Sequence, residues 1–273
     1  MDNRGHIHHS HRHFGFSYPV SLWQRTYAAL FPIGAVVLIF LRFESFSIFP
    51  FASETQIPIG NLGLALLATF LRLLVAYALA VVVAILLALA VHKNTLTERL
   101  LLPIFDIMQS VPILAFFPLI VAFSLRVGLS EGAAILVIFL SMLWELVFTL
   151  VGGLKTIPND IKWASEVFHV RGFAFLRKIL IPAVVPYLIT GSLLAWAEGW
   201  NIIIVVEVLH TYIPGGTTTQ DLFGIGSILV QAVSTGANAT FIAAALMLVG
   251  AIAGLNFFVW QKLLRYAERF KFE

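Results

Sequence analysis

The chain has 273 residues, of which 60% are hydrophobic and only 11% charged, with a formal net charge of +3. Soluble domains carry about 25% charged residues, so this composition, with a mean hydropathy of +0.95, points to lipid as the solvent. There is no cysteine, which removes disulfides, thiolate metal ligands and cysteine nucleophiles, and the small basic excess implies no nucleic-acid surface until the charges are placed against a membrane.

Residues 1–26 form a leader with five histidines between His6 and His13. Imidazoles this dense can bind metal, but without spaced carboxylate or Cys partners they read as a solvated cytoplasmic tail, and no metal site is expected. A hydrocarbon core of ~30 Å takes about 20 apolar helical residues. Six such runs follow, at 27–41, 64–91, 101–124, 133–151, 184–209 and 240–263. They lack the alternation of membrane β-strands, so the expected fold is an all-α integral membrane protein with six transmembrane helices. The first run has the length of a signal h-region, but no small-x-small site follows Leu41, so it is expected to be retained. The domain reading is a tail at 1–26, a first helix and outer loop at 27–61, and the main transmembrane domain at 62–270.

With six spans both termini share one side. That side holds fourteen of the 17 Lys and Arg residues, which marks it as cytoplasmic. The most polar cytoplasmic stretch is 155–182, KTIPNDIKWASEVFHVRGFAFLRKILIP. At 100° per residue, Ile161, Trp163, Ala164, Val167, Phe168 and Val170 fall on one half of a helix, and Lys162, Ser165, Glu166 and His169 on the other. Asn159 or Asp160 can cap its start, and Gly172 is placed to end it. A helix this short is marginal alone, so its apolar side must be buried on the bilayer interface, on the protein's own helix ends or in a partner's groove.

Groups that are costly inside a membrane are candidates for function: Arg72, Asp106, Gln109, Glu145, Glu198, Asn201 and Glu207. Glu198 and Asn201, three apart, share a helical face, whereas Glu207 points the other way. Glu198 and Asn201 are the preferred pathway-lining pair, joined by Gln109 and by Pro112, which with Pro118 can kink the third span. Gly191, Ala195 and Gly199 recur every fourth residue and form a smooth helix-packing ridge, while Trp196 and Trp200 read as packing residues. The stretch 210–236 reads as glycine turns plus a short interfacial helix. No G-x4-G-K-[ST] occurs, and GGLKT at 152–156 lacks the phosphate-cradling spacing.

The succession of a short amphipathic helix, basic residues and LRKILIPAVVPYLITG resembles the cytoplasmic signature loop of binding-protein-dependent ABC transporter permeases. MQSVPILAFFP, EGWNIIIVVE, FGIGSILVQA and NFFVWQKLLRYAERF agree in order, most closely with the nitrate, sulfonate and taurine branch, over about residues 62–270. The resemblance implies a type I transmembrane subunit whose loop helix, between spans four and five, is a coupling helix seated in a separate ATPase. Its ATPase-coupling residues are then Ile161, Trp163, Ala164, Val167, Phe168, His169, Gly172 and Pro182. The family's loop begins Glu-Ala-Ala, with a glycine six positions on. Anchored on Pro182, Trp163, Ala164 and Ser165 take the first slots and His169 the glycine slot; anchored on Glu166, Gly172 is recovered but the proline arrives three residues early. The proline anchor is preferred.

The expected function is thus a non-enzymatic permease subunit of an importer in the bacterial or archaeal plasma membrane. Its expected partners are an ABC ATPase that carries the ATP and Mg, an extracytoplasmic substrate-binding protein, a second permease copy (homodimer or heterodimer) and membrane lipid, with no nucleic acid. The expected cargo is a small anion of the nitrate, sulfonate or taurine kind. The rival readings are an ion-coupled secondary carrier using Glu198 or Glu145, whose folds commonly show inverted repeats, and a channel or a structural membrane subunit, of which a channel calls for a filter-like loop or charged ring.

Overall fold

The computed structural model describes residues 59–93, 95–170 and 172–270, and all the regular structure among them is helical. The expected tail at 1–26 and first helix at 27–41 lie outside the described residues. Helix α1 (Ile59–Lys93) is a 35-residue run of Leu, Ala and Val. Its two sides differ in size: Ala65, Ala76, Ala80, Ala84 and Ala88 are buried, while Leu67, Leu71, Leu79, Val82 and Leu86 are exposed. Small residues spaced by four, as from Ala76 to Ala88, let another helix approach closely, and these four share the main core with α4 (Ser130–Lys155).

The expected third span is sharply bent. It is two helices, α2 (Thr95–Ser110) and α3 (Ile113–Arg126), bent by 83° at the Val111–Pro112 junction. Proline has no N–H to donate and forces its predecessor toward extended backbone. Pro112 is itself extended (ψ 109°) and its carbonyl accepts from the Ala115 N–H at 2.9 Å. Pro118 sits inside α3 without breaking it.

After α4 comes α5 (Asn159–Val167), then a single turn Phe173–Phe175, a wide π-helical turn Leu176–Leu180, and α6 (Ile181–Glu207). Short 3-10 turns at His210–Tyr212 and Thr218–Gln220 lead to α7 (Ile225–Thr235). The chain closes with α8 (Asn238–Leu255), a π-helical turn Asn256–Trp260 and α9 (Gln261–Ala267). Four stretches, Asn61–His92, Ser130–Lys155, Leu176–Glu207 and Asn238–Phe270, are long and apolar enough to cross a membrane, and the bent α2–α3 pair makes a fifth if counted as one span. The protein is a multi-pass membrane protein.

Helix α4 is the centre of the bundle, with its broadest contacts to α6 and α1. The core it organises includes Val137, Ile138, Met142, Leu146 and Leu150, all at most 1% exposed. A second, smaller core joins Leu62 and Ala65 of α1 to Ile225, Ile228 and Leu229 of α7 and Ala244 of α8. Helices α5 and α7 therefore lie near opposite ends of α6, a helix of about 40 Å at 1.5 Å per residue.

Candidate functional site

Two places concentrate unusual chemistry, one at each end of α6. At the α5 end, the loop helix begins after the extended Pro158 and ends in a Schellman motif. The Val170 N–H donates to the Ser165 carbonyl at 2.8 Å and the His169 N–H to the Glu166 carbonyl at 3.1 Å. The left-handed residue this requires is His169, at φ +55°. Gly172, at φ +59°, lies three residues beyond and accepts from the Leu176 N–H, so the expectation that Gly172 ends the helix is corrected. A left-handed non-glycine residue costs roughly 1–2 kcal/mol, and His169 has a local offset: its Nδ1 lies 3.0 Å from the Val167 carbonyl, to which the Nδ1-protonated tautomer donates. The backbone at His169 is thus of the kind glycine adopts, at the slot where the Pro182 anchor requires a glycine. Pro182 itself lies in the first turn of α6, directly after the π-helical turn.

The apolar half-circle of this helix is split by the fold. Ile161 is half-buried against the main core, alongside the buried Ile157, and the polar Ser165 is also turned inward. Trp163, Val167 and Phe168 stand outward at 62%, 72% and 77% exposure, with Ala164 exposed beside them. Single exposed apolar residues are ordinary, but three large ones clustered on a nine-residue helix and its C-cap, Phe168, form a patch that invites a partner.

At the α7 end, a charge network with a buried centre joins four chain segments. Arg72 of α1 donates from Nε and Nη2 to the two carboxylate oxygens of Glu131 in the first turn of α4, at 2.6 and 2.7 Å. Its Nη1 donates to Glu207 Oε1 at 2.8 Å and its Nη2 to the Phe223 carbonyl at 2.9 Å. Thr69 donates to Glu207 Oε1 at 2.6 Å, and the Gly226 N–H donates to Glu207 Oε2 at 2.7 Å. The Ile225 N–H in turn donates to Thr69 Oγ1 at 2.9 Å. Glu207 is fully buried and Arg72 is 6% exposed. A buried carboxylate needs a cation and hydrogen-bond donors, and here it has both. Gly224 and Gly226 make the approach possible, because a Cβ on either would strike the Glu207 carboxylate.

The sequence singles out Arg72 and Glu207 as ionisable groups but does not pair them, and it gives no notice of Thr69 or Glu131. The usable signal was charge balance: a lone arginine in a span demands a carboxylate, and Glu207 is the one pointing away from the Glu198 face.

The other expected residues fall as follows. Glu198 and Asn201 are exposed on a stripe of α6 shared with Thr190, Leu194 and Ala197. Gln109 and Pro112 are exposed at the α2–α3 bend. Among the described residues no hydrogen bond or ion pair links these two pairs. Gly191, Ala195 and Gly199 are buried on the opposite side of α6. A Cβ on Gly191 would meet Thr149 Oγ1 of α4, and one on Gly199 would meet Met142 Cε of α4 and Leu73 of α1. Trp196 packs among Phe70, Tyr77, Trp200 and Trp260, with ring centroids 5.5 to 6.3 Å apart. Tyr77 donates to Ser192 at 2.7 Å, and Ser192 donates to the Leu188 carbonyl.

Comparison with known proteins agrees with this arrangement. Residues 80–265 match the family described as binding-protein-dependent transport system inner membrane component. The nitrate import permease protein NrtB of Leptolyngbya laminosa is 31% identical over 177 residues, covering 65% of this chain and 59% of NrtB. The bicarbonate transport system permease protein CmpB of Synechocystis sp. is 32% identical over 149 residues, covering 55% of this chain and 52% of CmpB. The taurine transport system permease protein TauC of Escherichia coli is 24% identical over 144 residues, covering 53% of this chain and 51% of TauC. The matched stretch thus spans between one half and three-fifths of these relatives. Among solved structures, a chain of the MetNI methionine ABC transporter in an inward-facing conformation superposes with a TM-score of 0.61 at 19% identity, covering 79% of this chain and 99% of that one, a likeness of fold. With the match running from the middle of α1 through α9, the chain belongs to the binding-protein-dependent transport system inner membrane component family.

Proposed function

We infer that the chain is the transmembrane permease subunit of an ATP-driven importer. In this reading the described spans line the substrate pathway together with a second permease copy, and the expected count of six includes the run at 27–41, which lies outside the described residues. Both termini and α5 face the cytoplasm, and a substrate-binding protein docks at the α7 end. A separate ATPase subunit, carrying ATP and Mg, grips α5, and its closure turns the spans as rigid bodies. The observation that carries this reading is the outward patch of Trp163, Val167 and Phe168 on a helix anchored inward by Ile161. Of the partners the sequence left open, a protein groove is the one family membership supports.

The cargo proposed is a small anion, supported by relatives whose names specify nitrate, bicarbonate and taurine. Arg72 is not its ligand, because that guanidinium is enclosed by Glu131, Glu207 and the Phe223 carbonyl. The pathway is assigned to the exposed α6 stripe with Glu198 and Asn201 and to the α2–α3 bend with Gln109 and Pro112. The relatives' names give no support to an ion-coupled carrier.

The test is co-purification of the tagged chain with a co-expressed ABC ATPase subunit from the same organism, combined with ATP-driven uptake in vesicles. Phe168→Asp is expected to abolish both while leaving the permease in the membrane. Retention of both by that variant overturns the docking assignment.

A further inference from the structure

We propose that Arg72 and Thr69 of α1 and Glu207 of α6 are positioning residues for α7: they clamp the first turn of that helix onto two spans and so set where its exposed surface is presented. This goes beyond the transport reading and stands on the geometry of the α7 end.

Glu207 is bonded through both its main chain and its side chain. Its carbonyl accepts from the Leu222 N–H at 2.9 Å, closing the base of the 208–222 segment. Its carboxylate accepts from the Gly226 N–H at 2.7 Å, at the first turn of α7, where helix N–H groups have no partner within the helix and a negative charge is favoured. Helix α7 carries no side-chain cap of this kind from within: position 224 before it is glycine, whose N–H is bonded by Ser227 Oγ. The cap comes instead from distant sequence, with Thr69 taking the Ile225 N–H and Arg72 taking the Phe223 carbonyl. Donors or acceptors at four of the five positions 222–226 are therefore held by three side chains and one main-chain oxygen from α1 and α6.

The segment tied down in this way has its own stiffening. His210 Nδ1 and the His210 N–H both reach the Asp221 carboxylate, at 2.8 and 2.9 Å, and Tyr212 stacks edge-on against the buried Phe117 of α3 at 4.7 Å. Beyond the clamp, α7 buries Ile225, Ile228 and Leu229 and leaves Val233 exposed, while Phe223 is exposed just before it. With an apolar underside of only a few residues, α7 depends on its polar N-terminal clamp to keep one register.

The absence of native cysteine allows a direct test. Paired nitroxide labels are placed on cysteines at Leu129 and Val233 of the full-length chain in nanodiscs, and their separation is read by pulsed dipolar spectroscopy. A second pair at Leu64 and Leu129 reports the bundle without α7. All three positions are exposed. The parent chain is expected to give one narrow Leu129–Val233 distance. Arg72→Met and Thr69→Val are each expected to broaden or shift it while the Leu64–Leu129 distance stays narrow, and Thr69→Ser, which keeps the hydroxyl, is expected to restore it. Thr69→Val leaves the Arg72 ion pairs in place, so it decides the matter if Arg72→Met does not fold. An unchanged Leu129–Val233 distance in Thr69→Val overturns the proposal. The measurement needs neither nucleotide nor partner, so a failed ATPase-docking test leaves it untouched.

Discussion

Replacing Arg72 with methionine removes the cation from a carboxylate that has no access to water. Glu207 is 0% exposed, and in the variant it keeps only the Thr69 hydroxyl and the Gly226 N–H as donors. Removing one partner of a buried pair costs about 3–5 kcal/mol, because the remaining charge is left uncompensated. The second carboxylate behaves differently: Glu131, with its side chain 55% exposed, is solvated when Arg72 is lost, and its share is small. Substituting Glu207→Gln in the same chain removes the stranded charge while leaving an amide oxygen to accept from Gly226. Apolar or neutral replacement of both partners is often close to neutral, so the double variant Arg72→Met/Glu207→Gln is expected to be more stable than Arg72→Met alone. Glu207→Gln by itself is milder than Arg72→Met, since Arg72 retains its two bonds to Glu131. At about 2–4 °C per kcal/mol for a chain of this size, the single Arg72 variant should lose roughly 6–20 °C in apparent Tm and the double roughly half of that or less. The assay is thermal denaturation of the detergent-purified chain at one fixed scan rate, since unfolding of such proteins is often irreversible. A double variant no more stable than Arg72→Met would refute the claim that a stranded carboxylate is the cause.

Phe168→Asp should abolish co-purification of the ATPase without loss of membrane insertion. Gly191→Ala drives a methyl onto Thr149, whose hydroxyl is engaged with the Glu145 carbonyl at 2.6 Å. It should destabilise by about 1–3 kcal/mol in the same denaturation assay, and Thr149→Ala should relieve most of that loss. His169→Gly should stabilise the end of α5 by about 1 kcal/mol through relief of the left-handed backbone, whereas His169→Val, β-branched at the same φ, should loosen it. Amide hydrogen exchange over 163–170 distinguishes these two, with slower exchange expected for Gly and faster for Val.

The helical class and the spans at 64–91, 133–151, 184–209 and 240–263 were legible because a run of about 20 apolar residues has few alternatives in lipid. A kink in the third was legible too, but which proline turns the chain, and how sharply, was not, because Pro112 and Pro118 look alike on the page. What separates them is context: Val111 before Pro112 is β-branched and already inclined to extended backbone, whereas Phe117 before Pro118 is fully buried and stacked on Tyr212. The apolar side of the loop helix was readable by periodicity, but which of its members turns inward depended on how the helix leaves α4, and Ile161 went in while Trp163 and Phe168 did not. At the α7 end, periodicity showed that Glu207 faces away from Glu198, yet its partners at Thr69 and Arg72 are more than 130 residues away and no local pattern announces them.

The two large contacts of α4 differ in texture. Against α6 it is keyed: Thr149 fits over Gly191 and Met142 over Gly199, so lengthwise slippage would drive side chains into backbone. On the α1 side, the residues turned into the core shared with α4 include the small Ala76, Ala80, Ala84 and Ala88, a track of methyl groups in place of interlocking side chains. That track is pinned at one extremity, where Arg72 grasps Glu131. Sliding of α1 along α4 therefore meets less steric resistance than sliding of α6 along α4, except at the end where Arg72 is bonded to Glu131 and Glu207.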